Sequence, residues 1–273
     1  MSGVIVNGVK YDIEGLVCRS WYDDPKLRLK MGEDGTRRAT QWVRGIVLHT
    51  TRGIPGGSDR RPQQIRPGYG PNRNTAQNVN HWWSTNYQSA GAHIVVDFDG
   101  TVSCLADLQA EITYHATSVN QFTIGIEIAQ GSEAELWQGQ LHSVVRLVDW
   151  LTLHFGIQRQ IPDFYRGAVS RLRSGGQDVV GVYGHRDQTF NRGIGDPGDA
   201  VFEYLDRGGY ERMNFVQSAD LETWKSRQMK LHVKADGIPG PKTVQAIREF
   251  QKANELPVTG LLDAVSRVQL GRS

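Results

Sequence analysis

The chain has 273 residues, 38% hydrophobic and 22% charged, with a formal net charge of +2. That is the make-up of a soluble globular protein with room for one large domain, or one medium and one small. The mild charge excludes a general nucleic-acid binder, which needs a strongly basic face, and no apolar run reaches the roughly 18 residues that span a bilayer.

The N-terminus, MSGVIVNGVKYDIEG, lacks a basic segment followed by a long apolar one, so no signal peptide is expected. Within it, two β-prone runs flank Asn7-Gly8, a strong hairpin signal. Residues 16–41 carry no assignable pattern. Cys18 and Cys104 lie far apart without a CxxC, which reads as two buried free thiols.

GIVLHTT (45–51) is a short apolar run bounded by turn residues, as expected of a core strand. It ends on His49, which the strand would hold on rigid backbone beside an open edge, a suitable place for a metal ligand or a base. The segment from Arg52 to Asn74 has no periodicity and holds five arginines against the single acid Asp59. It reads as a long, locally basic loop, either functional or a surface insertion.

TAQNVNHWWSTNY (75–87) predicts a helix capped by Asn74 or Thr75, with Val79, Trp82 and Trp83 on one packed face. AGAHIVVDFDGTVSCL gives a strand beginning near His93, a turn at Asp99-Gly100 and a second strand. TYHATS places His115 among small polar residues. FTIGIEIAQG is a further core strand in which alternation sets Glu127 opposite Ile124, Ile126 and Ile128. A mid-strand carboxylate is expensive unless it is paired or faces a cleft. A functional role for Glu127 follows.

Residues 133–155 show helical apolar spacing up to a Gly156 cap. DFYRGAVSRLR suggests a shorter helix. DVVGVYGHRD is the last core strand, ending on His185. Asp196-Pro197 follows, with Pro197 suited to the first position of a short helix. From about 220 the pattern changes: DGIPG and PVTG turns each precede a helical run, as in a three-helix unit of about 50 residues. The whole reads as α/β, a mixed central sheet flanked by helices, plus a small C-terminal three-helix domain. The expected boundaries are an N-terminal extension over 1–41, a main domain over 42–212 and the small domain over 220–273.

Two strand-end histidines, His49 and His185, with Asp196 eleven residues beyond the second, suit a zinc site with its fourth position open. Glu127 would then be the base. The spacing alone equally suits histidines used as hydrogen-bonding core groups.

GIVLHTT, AGAHIVVDFDGTV, TYHATS, FTIGIEIAQG and GHRD…DPG together resemble, in that order, the type 2 zinc-dependent N-acetylmuramoyl-L-alanine amidases. These share their fold with peptidoglycan recognition proteins and amidase-type phage lysozymes. The resemblance implies cleavage of the amide between N-acetylmuramic acid and L-alanine of the stem peptide. It implies one Zn²⁺ per chain, held by His49, His185 and Asp196, with Glu127 catalytic and His93 and His115 lining the substrate site. Many members carry a lysine two residues before the metal aspartate; here that position is Ile194, and Arg192 is expected to meet substrate nearby. A tyrosine often precedes the first substrate-site histidine; here it is Ala92.

DGIPGPKTVQAIREFQKANELPVTG resembles the type 1 peptidoglycan-binding domain, which implies a wall anchor. The expectation is a monomeric wall-lytic enzyme of the phage endolysin kind, made in the cytoplasm and reaching the wall by release or non-classical export. Its alternatives are a non-catalytic recognition protein and a cytoplasmic muropeptide-recycling amidase.

Overall fold

The computed structural model describes residues 3–30, 37–38, 43–51, 63–86, 90–163, 181–188, 196–214, 225–235, 241–258 and 264–272. Its centre is a six-stranded mixed sheet in the order β11-β4-β8-β6-β7-β3. These strands are β3 (Cys18–Ser20), β4 (Gly45–Thr50), β6 (Ile94–Val96), β7 (Val102–Cys104), β8 (Thr123–Ile128) and β11 (Gly181–Gly184). β11, β4, β8 and β6 run parallel, β7 is antiparallel to β6, and β3 lies parallel to β7 at the edge. The expected hairpin is present as β1 (Val4–Val6) and β2 (Val9–Tyr11), with Asn7 and Gly8 at positive φ.

Side-chain alternation gives the sheet two different faces. Ile46, Leu48, Ile94, Val96, Ile124, Ile126, Ile128 and Val182 belong to one large core with the hairpin residues Val4–Val6. The helices in that core are α2 (Gln138–Phe155), through Leu141, Val144, Leu147, Val148 and Leu151, and α4 (Asp199–Arg207), through Val201, Phe202 and Leu205. α2 ends at Gly156 in the left-handed region (φ 64°), as its sequence requires. On the opposite face Val95 packs with Leu27, Leu29, Ala76, Trp83, Leu105 and Ala106, which brings in α1 (Thr75–Asn86). The rest of that face carries the polar site.

Several local expectations change. Residues 135–137 form a strand, β9 (Glu135–Trp137), paired with β5 (Gln64–Arg66), so the long helix begins only at Gln138. β10 (Gln160–Asp163) and β12 (Glu211–Asn214) make a further parallel pair. On α1, Trp83 is buried but Trp82 is exposed, and Asn80 takes the inward place because its amide donates to Lys26 O and Arg28 O. α4 begins two residues later than Pro197 suggested, capped by Gly198, because Pro197 lies against Gly184 at the end of β11. The helix expected within 163–173 lies outside the described residues.

Cys18 and Cys104 are buried free thiols. Burial pushes the Cys18 thiol up to about 12 and that of Cys104 up as well, so neither is a nucleophile near neutral pH. Near the C-terminus, residues 225–230, α5 (Pro241–Ala253) and α6 (Ala264–Arg272) are helical, and Leu231, Ile247 and Leu270 form their own small core. Gln228–Thr243 and Gln251–Ser266 hydrogen bonds satisfy its buried polar groups. Among the described residues no helix is long and apolar enough to cross a membrane.

Candidate metal centre and its imidazole network

The site follows from strand register. β4 and β8 pair so that His49 stands opposite Glu127, and in a parallel ladder opposed residues share a face. Gly184 is opposite Leu48, so His185, one residue on and opening the short helix α3 (His185–Gln188), falls level with His49. Three parallel strands thus bring His49, Glu127 and His185 to one edge of one face.

Asp196 arrives from the loop before α4. Its Oδ1 accepts from Thr50 N at 3.1 Å, and its own carbonyl accepts from Arg186 N at 2.8 Å. His185 Nδ1 lies 3.3 Å from Asp196 Oδ2, and His49 Nδ1 lies 3.9 Å from Oδ1. The two imidazole centroids are 4.6 Å apart, and one ligand atom from each of the three side chains lies within 4.8 Å of the others. All three are buried. Ligand atoms about 2.0–2.2 Å from a tetrahedral zinc stand roughly 3.3–3.5 Å from each other, so the His185–Asp196 pair already has the required spacing. Two imidazoles and a carboxylate are also the donor set zinc takes at catalytic centres. The residues present fit the ion.

The rest of GHRD is framework. Asp187 Oδ2 accepts from Gly184 N at 2.9 Å, closing the turn from β11 into α3. Arg186 donates to Asp199 Oδ1 at 2.7 Å at the start of α4, and its guanidinium lies 5.0 Å over the Phe202 ring.

Behind His49 lies a second set of imidazoles. His115 stacks edge-on with His49 and with His93, each pair at 5.6 Å between centroids. Its ring lies on Gly125: a Cβ there would come within 2.5 Å of His115 Cγ. His115 Nδ1 donates to Thr113 O at 2.9 Å, and its Nε2 faces Thr123 Oγ1 at 2.9 Å. Thr113 Oγ1 sits 2.9 Å from Nδ1 of both His93 and His115. Gly125 N donates to His93 Nδ1 at 3.1 Å, which leaves the His93 proton on Nε2, facing Glu111 O at 3.2 Å.

Burial, with the Arg38 charge next, holds His93 well below the ordinary imidazole value. Burial is likewise the main reason His115 titrates at about 3. Both rings are neutral at neutral pH.

The sequence-derived site residues therefore divide. His49, His185 and Asp196 come together, with Glu127 beside His49 and His115 edge-on to His49. His93 has 0% exposure and can reach substrate only through another group. Arg192 lies outside the described residues. Residue patterns gave no notice of Thr113, Thr123 or Arg38, which hold the imidazoles. Gly125 could have been found, since glycine inside a strand marks close approach of another group.

A sheet face that presents a histidine–histidine–aspartate cluster beside a carboxylate offers a donor set that could hold a metal ion, of the kind hydrolases on α/β scaffolds use. Residues 38–199, more than half of the chain, match the N-acetylmuramoyl-L-alanine amidase family, and residues 220–267 match a peptidoglycan binding domain. The chain belongs to the N-acetylmuramoyl-L-alanine amidase family, and it is a peptidoglycan hydrolase with peptidoglycan as its ligand.

Solved structures with a similar course include Drosophila peptidoglycan recognition protein SD, at 13% identity over 74% of this chain and 99% of that one (TM-score 0.47). The endolysin amidase LysCS of Clostridium intestinale URNW is similar at 17% identity over 65% and 99% (TM-score 0.37). Staphylococcus aureus AmiA in complex with its ligand is similar at 14% over 90% and 88% (TM-score 0.38). No curated protein matches the chain.

Proposed function

We propose that the chain is a zinc amidase that hydrolyses the bond between the lactyl group of N-acetylmuramic acid and L-alanine of the stem peptide. His49, His185 and Asp196 would hold the ion, and Glu127 would be the general base. One observation carries this reading: the β4–β8 register sets Glu127 directly opposite His49, on the face and edge where His185 and Asp196 also arrive.

Zinc, when bound, supplies Lewis acidity that polarises the scissile carbonyl and favours attack by water near neutral pH. The side chains do the rest. Glu127 takes the proton from the attacking water and passes it to the departing amine of L-alanine. Thr50 N–H fixes the Asp196 carboxylate, so that one oxygen stays directed at His185. The His115–Thr113–His93 chain stands beside His49 without bringing charge of its own.

The C-terminal unit would keep the enzyme on insoluble wall and raise local substrate concentration. A wall-binding unit suits a monomeric enzyme of the endolysin kind, acting after release or non-classical export, better than one recycling soluble fragments. Arg192 is assigned to the substrate by its position four residues before Asp196.

Mass spectrometry of digested peptidoglycan is the test. Stem peptides beginning at L-alanine, beside intact glycan strands, are expected. Cleaved glycan, or cuts within the peptide, would replace the reading. In the same assay Glu127→Gln should keep zinc and fold but lose at least about 100-fold in turnover; near wild-type turnover would move the base elsewhere.

A further inference from the structure

We propose that Arg38 is a positioning residue for the reaction, a guanidinium bolt across the neck of the loop that carries Thr113 and His115. This rests on the amidase reading of the site. The connection between β7 and β8 leaves the sheet near Leu108 and returns at Thr123. Arg38 sits between its two limbs. Its Nε donates to Gln109 O at 3.1 Å, and its Nη2 to Leu108 O (3.4 Å) and Glu111 O (3.0 Å) on the outgoing limb. Nη1 donates to Asn120 O (3.3 Å) and Gln121 O (2.6 Å), and Nη2 also to Thr123 O (3.2 Å), on the returning limb. Residues 112–119, with Thr113 and His115, lie in the span that this closes.

No carboxylate is among these hydrogen-bond partners; the cation is surrounded by carbonyl dipoles. Burial draws the guanidinium down to about 10, partly offset by Asp107. Burying a charge this way is costly, and apolar packing could close a loop at least as well. What apolar packing could not do is fix His93. Arg38 Nη2 lies 3.2 Å from His93 Nε2, and both groups point at Glu111 O. The arginine therefore anchors the carbonyl that receives the His93 proton. With that proton on Nε2, His93 Nδ1 accepts from Thr113 Oγ1, and Thr113 in turn accepts from His115 Nδ1–H. The orientation of the ring beside His49 is set by Arg38 through Glu111, His93 and Thr113.

Five N–H donors in a planar fork are needed to reach both limbs; a lysine ammonium has three and cannot span them. Arg38→Lys keeps the charge and removes the fork, so it separates geometry from charge. Full-length, zinc-loaded Arg38→Lys should bind zinc as wild type does. On a soluble muramoyl peptide its kcat should fall about 10- to 100-fold, the usual range for residues that orient a metal site. KM should stay within about twofold. Guanidinium ion should restore part of the activity of Arg38→Ala.

Imidazole ¹⁵N correlation spectra give a readout independent of turnover. The wild type should show His93 protonated on Nε2, as the Gly125 N–H requires, and His115 on Nδ1; Arg38→Lys should keep the His93 tautomer but shift and broaden the His93 and His115 signals as the loop loosens. Imidazole signals unchanged in position and width in the variant, or wild-type kcat, would overturn the proposal. So would a loss of activity that tracks melting temperature without guanidinium rescue. Failure of the amidase reading would appear instead as absent turnover in the wild type, with the tautomer pattern intact.

Discussion

Gly125 offers the sharpest steric test of the site. A Cβ added there would sit 2.5 Å from His115 Cγ, 2.7 Å from Cδ2 and 2.9 Å from Cβ. Carbon atoms in contact prefer about 3.5–4.0 Å, so in Gly125→Ala the ring must retreat by about 1 Å. It has little freedom to do so, because Nδ1 is held by Thr113 O and Nε2 faces Thr123 Oγ1, each at 2.9 Å. Overpacking costs about 1–3 kcal/mol, and stretching the two bonds adds about 1 kcal/mol. Alanine recovers up to about 1 kcal/mol from lower chain entropy in the unfolded state. The net loss is about 1–3 kcal/mol, a fall in melting temperature of roughly 3–10 °C for a domain of this size.

Thermal unfolding of zinc-loaded protein measures it, with turnover of a soluble muramoyl peptide taken well below either transition. His115→Ala should absorb the penalty. In the double-mutant cycle Gly125→Ala becomes neutral or stabilising, and the coupling is at least about 1 kcal/mol. A Gly125→Ala protein that melts within about 1 °C of its parent, or a cycle without coupling, would mean that the His115 ring does not rest on Gly125.

Three further outcomes follow from the same geometry. Asp196→Asn keeps an acceptor for Thr50 N–H but loses its charge, so the protein should fold and purify with well under one equivalent of zinc; stoichiometric zinc in that variant would remove Asp196 from the ligand set. His93 and His115 stay neutral when folded, whereas unfolded imidazoles take up protons below about 6.5, so their contribution is complete above that pH and is lost as pH falls. The loss should approach about 1.4 kcal/mol per pH unit for each ring, continuing toward about 3, where His115 itself protonates. Denaturant titrations of metal-free protein at pH 7 and pH 5 should show it, and His93→Gln should remove one ring's share; an unchanged pH slope would contradict the buried neutral His93. Ending the chain after residue 214 should leave cleavage of soluble muramoyl peptides intact and weaken that of whole sacculi, and equal loss on both would contradict a separable anchor.

The strands that build the site could be read in the sequence because each is a short apolar run with a clean change of character at its end. GIVLHTT, FTIGIEI and GVYGH announce β4, β8 and β11, and period-2 alternation alone puts Glu127 opposite its isoleucines. Other features depend on partners distant in sequence. β9 is three residues long and exists only because Gln64–Arg66 pairs with it, so a helical pattern running through 133–155 obscured it. Trp82 and Trp83 are adjacent on a helix and point about 100° apart. Only one can face the sheet, and the two carbonyls that receive Asn80 decide which. The substrate role expected of His93 comes from the family resemblance, not from its local pattern. Its burial is set by Thr113, Glu111 and Arg38, which no local pattern connects to it.

The register of β8 against β4 decides whether this chain has a site at all. With period-2 alternation, a slip of one residue would turn Glu127 into the apolar core around Leu48 and Ile94, and would bring an isoleucine beside His49. The sequence protects the register on both faces. On the core side Ile124, Ile126 and Ile128 match Ile46, Leu48 and the α2 stripe, so a slip would expose three isoleucines to the polar face and bury a carboxylate. On the site side the gap at Gly125 accepts the His115 ring, and Thr123, two residues earlier on that face, presents its hydroxyl to the same ring. A slipped strand would meet the ring with Ile124 or Ile126 instead. The glycine and threonine two and four residues before Glu127 therefore act as a steric key. The hydrophobic alternation places Glu127 on its face, and the His115 ring in its gap fixes where along the strand Glu127 stands relative to His49.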